Sequence, residues 1–106
     1  KSSFKLNLTD VAEVYNHGSV IESRLMEWLR RGLALHTSDL NGVSGSVAHT
    51  GEGEWTIKTA KTLKVEAKII EASLEFRKRS AKKPSYTGKI LSALREQFGG
   101  HPISPK

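Results

Sequence analysis

The residues best suited to chemistry are two arginines and a histidine. The run Arg95-Glu96-Gln97-Phe98-Gly99-Gly100-His101 ends a helix-like pattern with an arginine, turns on two glycines and then presents a histidine. A guanidinium offers a planar donor fork to phosphate or carboxylate, and an imidazole can add another donor. The same residues also describe a C-capped helix with a solvent-exposed Arg95. Upstream, Arg77-Lys78-Arg79-Ser80-Ala81-Lys82-Lys83 gathers five cations at a helix end, where the macrodipole favours positive charge. A nucleic-acid face would interleave aromatic or amide side chains with such cations, and only Tyr86 is near. The Gly-rich turn Thr50-Gly51-Glu52-Gly53-Glu54-Trp55 enters a helix and could offer backbone amides to an anion. Its two carboxylates argue against phosphate, and a tight turn with Trp55 plugging the core is the simpler reading.

Other chemistries are excluded by what is missing. The four histidines, at 17, 36, 49 and 101, lack a metal-ligand spacing, and the absence of cysteine removes disulfides, thiolate zinc sites and thiol catalysis. No Gly-x-Gly-x-x-Gly follows a strand-like run, so a dinucleotide site of that type is not encoded. No apolar stretch approaches the roughly 18 residues of a membrane span. The net charge of +6 is uneven. Residues 1–53 carry five Lys/Arg against six Asp/Glu, and residues 54–106 carry twelve against five, giving −1 and +7. The basic half can face nucleic acid, anionic lipid, a phosphorylated small molecule or water.

The elements that must position these groups read as all-α: about five helices in one domain over residues 1–106, with a long Gly/Ser-rich loop after the second. Asp10, with Glu13 reaching back, is expected to cap a short helix carrying Val11, Ala12, Val14 and Tyr15. Ser19 with Glu22 forms a second capping-box pattern, opening a helix over 20–35 whose stripe is Ile21, Leu25, Trp28, Leu29 and Leu33. Turn-forming residues fill 36–53, a length of loop that is usually functional or disordered. Helices follow over 54–63 and 66–80, the latter striped by Ile69, Ile70, Ser73, Leu74 and Arg77. Pro84 breaks the chain, Ser85 caps a last helix bearing Ile90, Leu91, Leu94 and Phe98, and Gly99 and Gly100 stop it. Pro102 and Pro105 imply an extended tail. The chain opens on Lys1 rather than Met, without a signal-peptide core, which points to a truncated start.

Several segments together resemble one family. Leu6-Asn7-Leu8 with Asp10 to Val14, then Tyr15 to Ser23, Ser44-Gly45, Thr50 to Thr56, Glu71-Ala72-Ser73 with Arg77, and Arg95 to His101 are similar in order and spacing to the C-terminal helical domain of 6-phosphogluconate dehydrogenase. The likeness covers residues from about 6 to 102, and the short tail resembles the bacterial, often NAD-dependent branch. It implies a parent enzyme of the pentose phosphate pathway that oxidises and decarboxylates 6-phosphogluconate to ribulose 5-phosphate with NAD or NADP, NAD being favoured, and no metal. By the same resemblance, the Rossmann domain and the helix with the catalytic lysine precede this chain, so no catalytic or cofactor-binding residue lies in it and it is inactive alone. Arg77 matches an arginine that binds the substrate phosphate, and Arg95 and His101 match a pair lent to the neighbouring subunit. The implied partners are a second copy of the chain, as homodimer or higher homo-oligomer, and a phosphorylated sugar acid, in the cytoplasm, with neither nucleic acid nor membrane. One position departs from the pattern: many members place Lys or Arg before the Trp of the Gly-rich turn, and here stands Glu54, whose carboxylate would repel a phosphate. On composition, a basic all-α nucleic-acid-binding module using residues 77–89 is the alternative.

Overall fold

The computed structural model describes residues 4–101 and 103. It contains five helices: α1 (Leu8–Tyr15), α2 (Arg24–His36), α3 (Glu52–Thr62), α4 (Lys68–Lys82) and α5 (Tyr86–Gly99). Among the described residues there is no strand, and no helix is long and apolar enough to cross a membrane. The all-α expectation holds. The helix pairs that pack are α1 with α2, α2 with α5, and α3 with α4. The expected tail at Pro102 and Pro105 falls outside the described residues.

Two expected helix starts move. Asn7, not Asp10, caps α1, its Oδ1 accepting from the Thr9 amide at 3.1 Å. Asp10 sits inside the first turn, where its charge suits the positive end of the helix. Ser23, not Ser19, caps α2, accepting from the Met26 amide at 3.1 Å. Ser19 and Glu22 build the preceding turn instead: Ser19 accepts from the Ile21 amide, and Glu22 accepts from the Gly18 amide at 2.7 Å. A capping pattern spent on a turn cannot also open a helix. Ile21 therefore lies before α2, and Ile21 and Leu25 are exposed. At the other end of the chain the expectations stand: Ser85 accepts from the Gly88 amide at 3.1 Å, and Gly100 closes α5 in the left-handed region with φ 62°.

The long segment after α2 is neither disordered nor peripheral. Leu40 and Val43 have no exposed surface, and with Ala12, Leu33 and Ala93 they form the core. Leu40 holds a left-handed φ of 50°, a strain of order 1–3 kcal/mol for a non-glycine residue that burial of its side chain must outweigh. Since this backbone makes few hydrogen bonds to itself, side chains supply its partners. The Ser38 hydroxyl accepts from the Leu8 amide at 3.0 Å, and the Tyr86 hydroxyl donates to the Ser38 carbonyl at 2.6 Å. Lys89 donates to the Leu40 carbonyl, Ser92 to that of Ser46, and Ser80 accepts from the Val47 amide. At one point backbone meets backbone: a Cβ on Gly88 would lie 1.8 Å from the Gly45 carbonyl oxygen.

Trp55 does not plug the core; it is 66% exposed, because α3 turns it away from α4 toward solvent. Ile69 and Ile70 are likewise exposed on the α3–α4 hairpin. Between α1 and α2 a polar clasp forms instead. The Glu27 carboxylate accepts from Arg30, Arg31 and Asn16, and Arg30 also pairs with Glu13 at 3.0 Å. Bonds from Arg30 and then Arg31 hold the Glu27 carboxyl down to about 2.

Two predictions follow from this packing. Gly88→Ala should destabilise the chain by at least about 1–3 kcal/mol, since a helix and a loop backbone must part. Gly53→Ala, whose Cβ would meet nothing closer than 4.0 Å, should be neutral or stabilising by up to about 1 kcal/mol; denaturant titrations of both variants check the contrast. A carboxyl lowered in the folded state stabilises it above its unfolded value, and that share is lost as pH falls through the folded one. Replacing Glu27 with Gln should therefore lower the melting temperature at neutral pH, with the gap to wild type closing between the usual 4.5 and about 2. A gap constant over that window would contradict the clasp.

Candidate functional site

The site is assembled where the loop hands over to α3. Gly51, with φ 103°, takes the left-handed turn that starts α3 at Glu52. Opposite, α4 presents Arg77 and Ser80, and the buried Ser80 hydroxyl ties the two sides by accepting from Val47 while donating to the Arg77 carbonyl at 2.7 Å. The gap left between them is a cavity of about 230 Å³ lined by His49, Thr50, Glu52, Gly53, Ile70, Ser73, Leu74 and Arg77. From α5, Arg95 donates through Nη1 to the Ala48 carbonyl, so it reaches the same stretch of loop as Gly88 and Ser92 on its own helix face.

Charge links these residues. Burial first, and then the Arg77 charge, draw Arg95 below the usual guanidinium value, while Glu52 opposes them. The Glu52 carboxyl is held low by the Thr50 hydroxyl that donates to it, then by its own backbone, and then by Arg77 and Arg95. Arg77 and Glu52 thus line one small cavity, and the charge of Arg95 acts on both.

Of the three residues singled out in the sequence, Arg77 lines the cavity, Arg95 is held on the Ala48 carbonyl where the Arg77 charge still acts on it, and His101 lies outside the cavity lining. His101 is exposed and folds back over its own helix end, where a Cβ on Gly99 would stand 3.0 Å from the imidazole. Among the described residues no hydrogen bond links it to either arginine. Of the remaining histidines, His49 lines the cavity, whereas His17, on the Glu13 carbonyl, and His36, on Glu96 at 2.7 Å, lie apart. Glu54 is neutralised: Lys78 reaches it at 2.5 Å and holds its carboxyl low, with His49 and Lys58 assisting. The basic run 77–83 is consequently not one cationic face, since Arg77 lines the cavity, Lys78 pairs with Glu54 and Ser80 is buried.

Glu52, Thr50, His49 and Lys78 belong to this neighbourhood without having been singled out as binding residues. The signal was present in the two acidic residues of the Gly-rich turn. Taken alone they repel an anion; in the fold each faces a cation from α4 or α5.

No protein-family model matches the chain. Two curated proteins are similar to it. A Bacillus subtilis (strain 168) protein, provisionally named 6-phosphogluconate dehydrogenase, is 41% identical over 105 residues, which is 99% of this chain and 35% of the relative. An NAD(+)-dependent, decarboxylating 6-phosphogluconate dehydrogenase of Haloferax volcanii is 32% identical over 103 residues, 97% of this chain and 34% of the relative. The chain spans about a third of the length of both. Nearly all of this all-α chain is therefore homologous to a one-third portion of proteins named 6-phosphogluconate dehydrogenase, and its kinship lies with them.

Proposed function

We propose that this chain is the C-terminal dimerisation and substrate-binding domain of a cytoplasmic oxidoreductase that oxidatively decarboxylates 6-phosphogluconate to ribulose 5-phosphate in the pentose phosphate pathway. The observation that carries the reading is a small cavity lined by Arg77, with the charge of Arg95 on α5 acting on that arginine; guanidinium forks suit a phosphate dianion. The family departure at Glu54 is compatible with it, because Lys78 cancels that carboxylate. The nucleotide is NAD, in keeping with the name of the Haloferax relative. Among the described residues no strand leads through a Gly-rich loop into a helix, so these residues do not fit a dinucleotide pocket of that kind, and the remaining two thirds of the parent supply it.

Assembly is supported by surface. The chain exposes 7,750 Å², against about 5,900 Å² for a folded monomer of its mass. Trp55, Ile69, Val20 and Phe98 are among the large apolar side chains left in solvent. Burying them against a second copy would complete the domain. In a two-fold dimer each contact occurs twice, and the resemblance to the family assigns Arg95 and His101 of one chain to the neighbour's phosphate and Arg77 to its own.

In the intact enzyme Arg77→Ala should lower kcat/KM for 6-phosphogluconate roughly ten- to a hundredfold by removing charge-assisted hydrogen bonds, with cofactor binding little changed. An unchanged kcat/KM refutes the role. Replacing Arg95 or His101 should cripple a homodimer. Mixed with a variant lacking the catalytic lysine, it should regain activity, because one of the two sites then takes its lysine from one chain and its Arg95 and His101 from the other. With subunit exchange verified, silence of the mixture assigns Arg95 to its own subunit.

A further inference from the structure

We propose that Asn41 modifies itself: the Gly42 amide displaces its side-chain nitrogen, and the isoaspartate that results opens the core from within the loop. The inference stands apart from the substrate reading above.

Three observations single the residue out. Asn41-Gly42 is the one asparagine–glycine pair in the sequence, and Asn41 is exposed between Leu40 and Val43, neither of which has any exposed surface. Gly42 has φ 79°, and a Cβ built on it would meet nothing within 4 Å, so its nitrogen is open to approach where another residue would set a side chain. Among the described residues that nitrogen donates no hydrogen bond. The asparagine side chain is held as lightly, its Nδ2 reaching Thr37 Oγ1 only at 3.5 Å.

The two other asparagines are protected on both counts. Asn7 is committed to its cap through Oδ1, and the nitrogen that follows it, of Leu8, donates to Ser38 at 3.0 Å. Asn16 accepts from the Ser23 amide and donates to Glu27, each at 3.3 Å, while the His17 nitrogen donates to the Val14 carbonyl.

The chemistry needs only water. The Gly42 nitrogen gives up its proton and bonds to Asn41 Cγ, Nδ2 leaves with that proton as ammonia, and a five-membered succinimide ring remains. Water then opens the ring. Attack at Cγ restores the ordinary chain with aspartate in place of asparagine, whereas attack at the main-chain carbonyl gives isoaspartate, whose main chain runs to Gly42 through Cβ and Cγ. One water is consumed and one ammonia released, with no oxidation or reduction. Isoaspartate adds one atom to the main chain, inside the turn that the Val43 amide closes on the Leu40 carbonyl at 3.2 Å. Leu40 and Val43 belong to the same core, and a close-packed interior registers a change of even that size. Further along, the same backbone holds Ser80 at Val47 and Arg95 at Ala48, so damage at the turn reaches the candidate site.

The test is incubation of the purified protein in warm, mildly alkaline buffer, followed by tryptic mass mapping against an unincubated control. The peptide spanning 32–58 has Asn41 as its only side-chain amide, so the mass gain of amide-to-acid conversion reports this residue alone, and a methyltransferase specific for isoaspartate separates the two products. The folded protein is expected to convert at Asn41 well before Asn7 or Asn16, several-fold more slowly in Gly42→Ala. The isoaspartyl fraction should melt below both the unmodified protein and the Asn41→Asp variant, which carries the same charge without the added atom. If the folded protein keeps its Asn41 amide while a denatured sample loses it, the fold shields the site and the proposal fails. Conversion undiminished in Gly42→Ala overturns the attack by the Gly42 nitrogen. An isoaspartyl fraction that melts with Asn41→Asp overturns the effect on the core.

Discussion

A backbone that crosses the middle of a helical domain without secondary structure must find hydrogen-bond partners elsewhere, and the segment from Ser38 to Ala48 is such a backbone. Its carbonyls and amides are met by Tyr86, Lys89, Ser92 and Arg95 from α5, and by Ser80 from α4. Four of these five lie along α5 at positions 86, 89, 92 and 95, a three-residue step that keeps them on one side of the helix. The helix thus does for the loop what a neighbouring strand would do in a sheet. Everything else is arranged around this pairing: α2 closes over it, with Gly32 lying 3.4 Å from the Ala93 side chain by its would-be Cβ, and the α3–α4 hairpin hangs from its far end.

The candidate site inherits its geometry from that constraint. Arg95 ends the row of loop-binding side chains, so one of its donors is committed to Ala48 and its position is set before any ligand arrives. Arg77 is placed by the same loop through Ser80. Preorganised donors of this sort lose little freedom on binding, which is how a small cavity on a small domain can hold a charged group firmly. It also means that Arg95 is a structural clamp, so under the proposed function a substitution there disturbs the loop as well as the phosphate site.

Much of the fold was legible in the chain. The 3.6-residue periodicity located all five helices, and Ser85 and Gly100 marked the limits of α5 by the chemistry that caps demand. Asp10 and Ser19 misled because several polar residues near each start can cap, and only the backbone path decides between Asn7 and Asp10 or Ser23 and Ser19. The loop was unreadable for a different reason. Leu40, Val43 and Val47 stand among turn-forming residues, and their burial depends on hydrogen bonds from residues some 30 to 50 positions later. Trp55 misled because large aromatics are usually buried, whereas this one is covered by nothing in the single chain. At the site, Arg77 and Arg95 were singled out by likeness to a family, but the placing of Arg77 beside His49, Thr50 and Glu52 in one cavity is a product of tertiary structure that no local pattern encodes.

The contact between Gly45 and Gly88 joins residues separated by most of the second half of the chain. Local helix pairs such as α3 with α4 can form as soon as they leave the ribosome, but the loop lacks most of its hydrogen-bond partners until α5 follows. At about 5–20 residues per second, the interval between the emergence of Gly45 and that of Gly99 is roughly 3–10 s. Throughout it Leu40 and Val43 lack the cover that Ala93 and its helix supply, so synthesis of this domain passes through an aggregation-prone stage just before its last helix is delivered.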